Sequence, residues 1–223
     1  LNHCETQLFL LKDGGDVIGR CCAFIDHLAV DYWGEPIGLF GSFECVENQG
    51  GAHLLLKSAR EWLAAKAMKS MRGPWSFASQ EWGLEIEGGS RPPVILAPHN
   101  PSYYADFFES FGLEKAIDHL AYLADMADGY QFPERYLTLT EKIQARYGVT
   151  VRPVDMEDLE QEVMTIVDLS NRSISDNWGY YPVTEEEARA MARDLRQIVN
   201  PDVILIAEDR EGQPIGFALS LPD

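Results

Sequence analysis

The sequence is short of positive charge: 18 Lys and Arg stand against 36 Asp and Glu in 223 residues, for a net charge of −18. A nucleic-acid surface needs clustered Lys and Arg to displace counterions, so nucleic acid is not an expected partner. An amine-bearing substrate fits the charge, and so does plain solubility. No run of 18 apolar residues occurs, so no membrane span is expected. The four cysteines, Cys4, Cys21, Cys22 and Cys45, include no CxxC pair and read as reduced, strand-packed thiols of a cytoplasmic protein. The five histidines (3, 27, 53, 99 and 119) are scattered without HExxH spacing, and no metal site is expected. No signal-peptide pattern is visible, but the chain opens on Leu1 rather than Met, which leaves the natural N-terminus open.

What is present is an apolar fraction of 46%, enough for a substantial core. Leu8–Lys12 and Val17–Ile25 are apolar runs joined by "DGGD", a strong hairpin signal. Ile37–Val46 reads as another strand. Leu54, Leu55, Ala59, Trp62, Leu63 and Ala67 recur at helical spacing behind Gly50-Gly51. "MRGPWSF" reads as a short strand stopped at Gly73-Pro74. Tyr103–Phe111 reads as a helix ended by Gly112, and Lys115–Asp125 as a strand, with a helix left open. Residues 129–148 read as a polar linking helix, "VTVRPVD" as a strand, and Met156–Leu169 as an amphipathic helix. Thr184 and Glu187 form a capping box for a helix through Leu195.

The final stretch "DVILIAEDREGQPIGFALSLPD" echoes "QLFLLKDGGDVIGRCCAFID". Both run from an apolar strand through a charged, glycine-bearing turn to an Ile-Gly entry into the next strand, the pattern of an internal repeat. Two unrelated hairpins with common turn chemistry are the simpler alternative. A repeat implies two incomplete copies: residues 1–128, a linking helix over 129–148, and the start of a second copy over 149–223.

Four stretches carry a family resemblance. They are the repeated hairpin "VILIAEDREGQPIGFALS", "VENQGGAHLLL", "YYADFFESFGLEKAIDHLAYLAD" and "VTVRPVDMEDLEQEVMTI". In order and spacing they resemble the GNAT superfamily of acyl-CoA N-acyltransferases, in a tandem arrangement. The resemblance implies a mixed-sheet α/β fold and transfer of an acyl group from acetyl-CoA or another acyl-CoA to a small-molecule amine. The family signature is Gln or Arg, two residues, Gly, any residue, then Gly or Ala. Here Gly50 and Ala52 fit, while Glu47 stands where the family has Gln or Arg.

By the same resemblance the pantetheine arm lies along Phe43, Cys45 and Val46, and the pyrophosphate meets the loop of Gly50, Gly51, Ala52 and His53. Glycines there allow close backbone approach, and amides at a helix N-terminus attract anions. Glu47 opposes an anion, and an ordinary structural turn is the competing reading. The family's late-helix tyrosine, a general acid, falls on Phe108. Tyr104, one turn earlier on the same face, is the substitute, with Glu44 as general base. Packing roles for Tyr103 and Tyr104, and a solvated face for Glu44, are the bland alternatives. "DNWGYYPVT" is either an acceptor-pocket lining or a plug between helices. In "GPWSFASQEWG", Trp75, Ser76, Ser79 and Trp82 fall near the expected acceptor site. Ser76 has no His-Asp support, which excludes a serine hydrolase.

Two functions therefore stand side by side: an N-acyltransferase, and a non-catalytic GNAT-like structural or ligand-binding domain. Aminoacyl transfer from charged tRNA is disfavoured by the net charge. Open hairpins at both ends point to a homodimer paired through strand edges.

Overall fold

The computed structural model describes residues 2–75, 83–90, 92–94, 97–124, 129, 133–196 and 199–221, with Asp194 and Leu195 described by backbone alone. Ser76, Ser79 and Trp82 lie outside the described residues. The architecture is α/β with a mixed first sheet, as expected, and the chain divides into two compact units.

The first unit spans residues 1–114 and takes in 175–182. Strands β1 (Cys4–Asp13) and β2 (Asp16–Asp26) form the hairpin that the two apolar runs and the DGGD turn announce. Gly14 at φ 60° supplies the left-handed turn residue. Helix α1 (His27–Trp33) starts because the Asp26 carboxylate accepts from the Leu28 and Ala29 amides, and ends on left-handed Gly34. Strand β3 (Ile37–Cys45) pairs antiparallel with β2 on one edge. On the other edge it pairs parallel with the short β4 (Ser70–Arg72). Helix α2 (Gln49–Ala65) links β3 to β4, and α3 (Tyr103–Phe111) closes on Gly112 at φ 96°.

Two cores follow from the strand alternation. On one face Cys21, Ala23 and Ile25 of β2, with Phe43 and Cys45 of β3, bury against α2 and α3. Leu56 and Leu63 of α2 are essentially sealed, and Leu56→Ala is expected to cost about 2–5 kcal/mol. On the other face Cys22, Phe24, Ile37 and Leu39 pack with Ala29, Trp75 and Tyr181. The stretch 175–182 is thus a plug, but its aromatics pack on α1 and Trp75. Tyr181 meets Trp33 edge-on, and the Trp33 indole NH donates to the Tyr180 carbonyl at 2.8 Å.

The second unit holds α4 (Glu134–Tyr147), β5 (Thr150–Pro153), α5 (Leu159–Ser173), α6 (Glu185–Leu195), β6 (Ile204–Glu208) and β7 (Pro214–Leu219). Its three strands are antiparallel in the order β5-β6-β7, so both echoing sequence stretches fold as hairpins. The Thr184–Glu187 capping box is present in both directions. Helix α5 begins three residues later than the apolar pattern suggests, because Asp155 accepts from the Glu157 amide and holds 155–157 in a turn. Arg152 bridges Glu208 at 2.7 Å and Glu162 at 2.8 Å, tying β5 to β6 and α5.

One expected element is absent. Lys115–Ala124, read as a strand, is in neither strand nor helix, and Asp125 lies outside the described residues. Leu120, Tyr122 and Leu123 are exposed. A strand needs a neighbour to take its amides and carbonyls, and no described strand pairs with this stretch.

Candidate active site

The site grows from an irregularity in β3. Cys22 faces Gly41 and Arg20 faces Glu44, so two β3 residues, Ser42 and Phe43, oppose Cys21 alone. Ser42 adopts φ 46°, and the strand bulges there. Beyond the bulge the alternation resumes. Phe43 and Cys45 point into the α2 core, while Glu44 and Val46 turn to the opposite, exposed face.

At the same place β3 loses its parallel neighbour. Pairing with β4 stops at Leu39 and Arg72, and is followed by one bond from the Trp75 amide to the Phe40 carbonyl, at 2.8 Å. Gly41 is required at that crossing, since a Cβ there would sit 1.8 Å from the Trp75 carbonyl oxygen. Among the described residues no strand pairs with the outer edge of β3 from Ser42 to Cys45.

Helix α3 fills the gap with two hydroxyls. Tyr104, 3% exposed, accepts from the Cys45 amide at 2.9 Å and donates to Glu44 Oε2 at 2.9 Å. Tyr103 donates to the Cys45 carbonyl at 3.2 Å. The two expected catalytic residues, Glu44 and Tyr104, are therefore in direct contact. Burial raises the Tyr104 pKa, the Cys45 amide bond opposes the shift, and the Glu44 carboxylate adds to it. The hydroxyl stays protonated throughout the physiological range. Burial also raises the Cys45 thiol.

Around this contact lies a groove of about 390 Å³ lined by Leu10, Arg20, Glu44, Val46, Pro101 and Tyr103, among others. Leu10, Arg20 and Glu44 stand opposite one another across β1, β2 and β3, on one face of the sheet. The groove thus pairs an apolar wall with one acid and one base. Arg20 forms no ion pair among the described residues. Sequence reading missed Arg20 and the bonding role of Tyr103; the strand register would have placed Arg20 beside Glu44. A larger depression of about 490 Å³ follows α4 between Glu134 and Lys142 and contains none of the expected site residues.

The expected cofactor residues divide. Phe43 is a buried ring, edge-on to both Tyr104 and Phe108. Phe108, at the family's acid position, is itself core. The Val46 amide, expected to face a pantetheine arm, donates to the Ile18 carbonyl of β2 at 3.0 Å. At the start of α2, the amides of Gly51 and Ala52, expected to face an anion, are taken within the protein. Gly51 donates to the Asn48 side chain and Ala52 to the Asn48 carbonyl, each at 2.9 Å. Gly51 is also buried, with the place of a Cβ 2.6 Å from Leu11 Cδ2. Gly50 is exposed. The His53 Nε2 lies 3.0 Å from the Ser110 hydroxyl of α3, and its ring meets Phe111. The N-terminus of α2 is thus capped and packed by its own chain.

Among the described residues, one group of metal-ligand types lies close together. His3, Cys4 and Asp26 bring their ligand atoms within 4.8 Å. Asp26 Oδ1 there accepts from the α1 amides and lies 3.0 Å from His3 Nδ1, so a helix cap accounts for it. No helix among the described residues is long and apolar enough to cross a membrane.

No family model matches the chain. Over 225 residues, and along its whole length, the chain is 33% identical to the bacterial ceramide synthase of Caulobacter vibrioides (strain NA1000 / CB15N), covering 57% of that protein. It is 31% identical over 223 residues to protein YghO of Escherichia coli (strain K12), covering 56% of it. The chain thus spans a little over half the length of the curated relatives it matches. A solved structure of a tandem GNAT protein from the clavulanic acid biosynthesis pathway, without AcCoA, aligns over 96% of this chain and 58% of its own. The identity is 13% and the TM-score 0.46.

Proposed function

We propose that the chain is part of an N-acyltransferase of GNAT-like type, which moves an acyl group from an acyl-CoA thioester to an amine at the bulged end of β3. The observation that carries this reading is the Glu44–Tyr104 contact at the unpaired edge of β3, beside an apolar groove. The name of the Caulobacter relative is consistent with it, since a ceramide is an amide that joins an acyl group to an amine.

In this reading Glu44 takes the proton that the amine loses as its nitrogen attacks the thioester carbonyl. The C–N bond forms, the C–S bond breaks, and the thiolate must be protonated. Tyr104, hydrogen-bonded to Glu44, supplies that proton and is refilled from the carboxylate, so the pair returns to its starting state. Burial and the neighbouring carboxylate keep the Tyr104 hydroxyl protonated, so the transfer to the thiolate is concerted with the return of the proton from Glu44 and no phenolate forms. No covalent nucleophile is needed, and the Cys45 thiol, held protonated by burial, is a packing group. Gly50, exposed at the start of α2 with His53 near it, is the place for the donor's phosphates, and Glu44 draws the cationic amine, which gives one proton to solvent before the neutral nitrogen attacks.

A second reading, a non-catalytic ligand-binding domain, is favoured by Phe108 in the core and by the internal capping of Gly51 and Ala52. The test is thiol release from acetyl-CoA and longer acyl-CoAs in the presence of simple and long-chain amines, with the amide product identified by mass. Amide formation that Glu44→Gln abolishes supports the transferase. Acyl-CoA binding without amide formation supports the second reading, and no binding at millimolar donor sinks both.

A further inference from the structure

Tyr103 and Tyr104 together do more than line the groove. They bond to both sides of the same residue, one hydroxyl on the Cys45 amide and the other on its carbonyl. That is the pair of bonds which a neighbouring strand would make to an edge residue. Both come from a helix whose rings are anchored in the core: Tyr104 on Phe43 and Phe107, and Tyr103 on Phe107. Tyr103 is only half-buried and makes the longer bond, 3.2 Å against 2.9 Å.

We propose that the two hydroxyls form a displaceable ladder. They close the edge of β3 at Cys45, and Tyr103 must give way before a ligand amide can pair with the carbonyl of that residue, while Tyr104 stays. The proposal rests on the reading of this groove as an acyl-donor site. Physically, a buried edge amide and carbonyl cannot be left unpaired, so the chain satisfies them internally. The cost is competition: each ligand hydrogen bond to Cys45 replaces one already made, and its net gain is cut accordingly. Tyr103 lines the groove, is only half-buried and holds Cys45 by a single bond, so it is the side free to swing outward. Tyr104 is held by a second bond to Glu44. Tyr103 therefore sets how tightly the edge takes any peptide-like arm and is a specificity device distinct from the chemistry at Glu44 and Tyr104.

The test compares wild type with Tyr103→Phe, which keeps the ring packing and removes only the hydroxyl. Acetyl-CoA is titrated by calorimetry, and the amide exchange of residues 42–46 is followed in parallel. The expected result is about three- to tenfold tighter acetyl-CoA binding in Tyr103→Phe, the worth of one neutral hydrogen bond no longer competed for. Faster exchange near Cys45 in the free variant, reversed by ligand, should accompany it. Equal or weaker binding in a folded Tyr103→Phe overturns the ladder while leaving the donor site standing. Absence of acetyl-CoA binding in both proteins overturns the two together. If Tyr103→Phe unfolds, 3-fluorotyrosine in place of Tyr103 supplies a stronger donor to the Cys45 carbonyl. Acetyl-CoA binding should then weaken, and unchanged or tighter binding overturns the ladder.

Discussion

Glu44 and Tyr104, 60 residues apart in sequence, share a hydrogen bond of 2.9 Å, and Tyr104 at the same time takes the Cys45 amide. One hydroxyl therefore couples the acid of the groove to the backbone of the strand that bears it. Glu44→Gln keeps the size and the hydrogen bond but cannot accept a proton. It is expected to lower amide formation by about 10²–10⁴-fold with little change in melting temperature. Tyr104→Phe removes both the relay and the bond to the buried Cys45 amide. It should lower activity and also destabilise by about 1–3 kcal/mol, measured by urea denaturation.

Gly41 makes a second, purely structural claim. Because a Cβ would fall 1.8 Å from the Trp75 carbonyl, Gly41→Ala must push two backbone segments apart. A loss of about 1–3 kcal/mol or more is expected by chemical denaturation. Gly216, where a Cβ would meet no atom within 4 Å, serves as the control, and Gly216→Ala should stay within about 0.5 kcal/mol.

Alkaline pH should loosen the first unit. Burial pushes the Cys21 thiol from 9.0 up to about 12, and burial likewise raises Tyr104 above its ordinary 10.0. The folded protein keeps these protons to higher pH than the unfolded chain does. Their contribution is complete below about pH 9 and is lost progressively as pH rises toward 12. Thermal melts between pH 8 and 11, on the order of those pKa values, should fall more steeply in wild type than in a Cys21→Ala, Tyr104→Phe double variant.

Asn48 caps α2 by accepting from the Gly51 amide at 2.9 Å. Asn48→Ala should cost about 1 kcal/mol in stability, read by denaturant midpoint. If the start of α2 also holds a phosphate, the freed Gly51 amide should leave acyl-CoA affinity unchanged or higher.

Much of the fold is legible in the sequence where local chemistry decides. The Asp13–Asp16 turn, Gly112 as a left-handed stop and the Thr184–Glu187 box each follow from a few adjacent residues. Glu44 and Tyr104 each stand out in the sequence, but their contact depends on the bulge at Ser42, and serine carries no mark of a positive φ. Lys115–Ala124 shows the converse: an apolar run favours a strand only if a partner edge exists, which periodicity cannot report. The docking of Tyr181 on Trp33 and Trp75, across well over a hundred residues for Trp33, has no local signal at all.

The open end of β3 is the proposed place of the acyl donor. Hydrogen–deuterium exchange of the chain with and without a long-chain acyl-CoA tests it most directly. Protection concentrated on residues 42–46 and 101–104, and lost on Glu44→Lys or Val46→Asp, is the expected result. Protection confined to the depression along α4, or no protection anywhere at millimolar ligand, would contradict it.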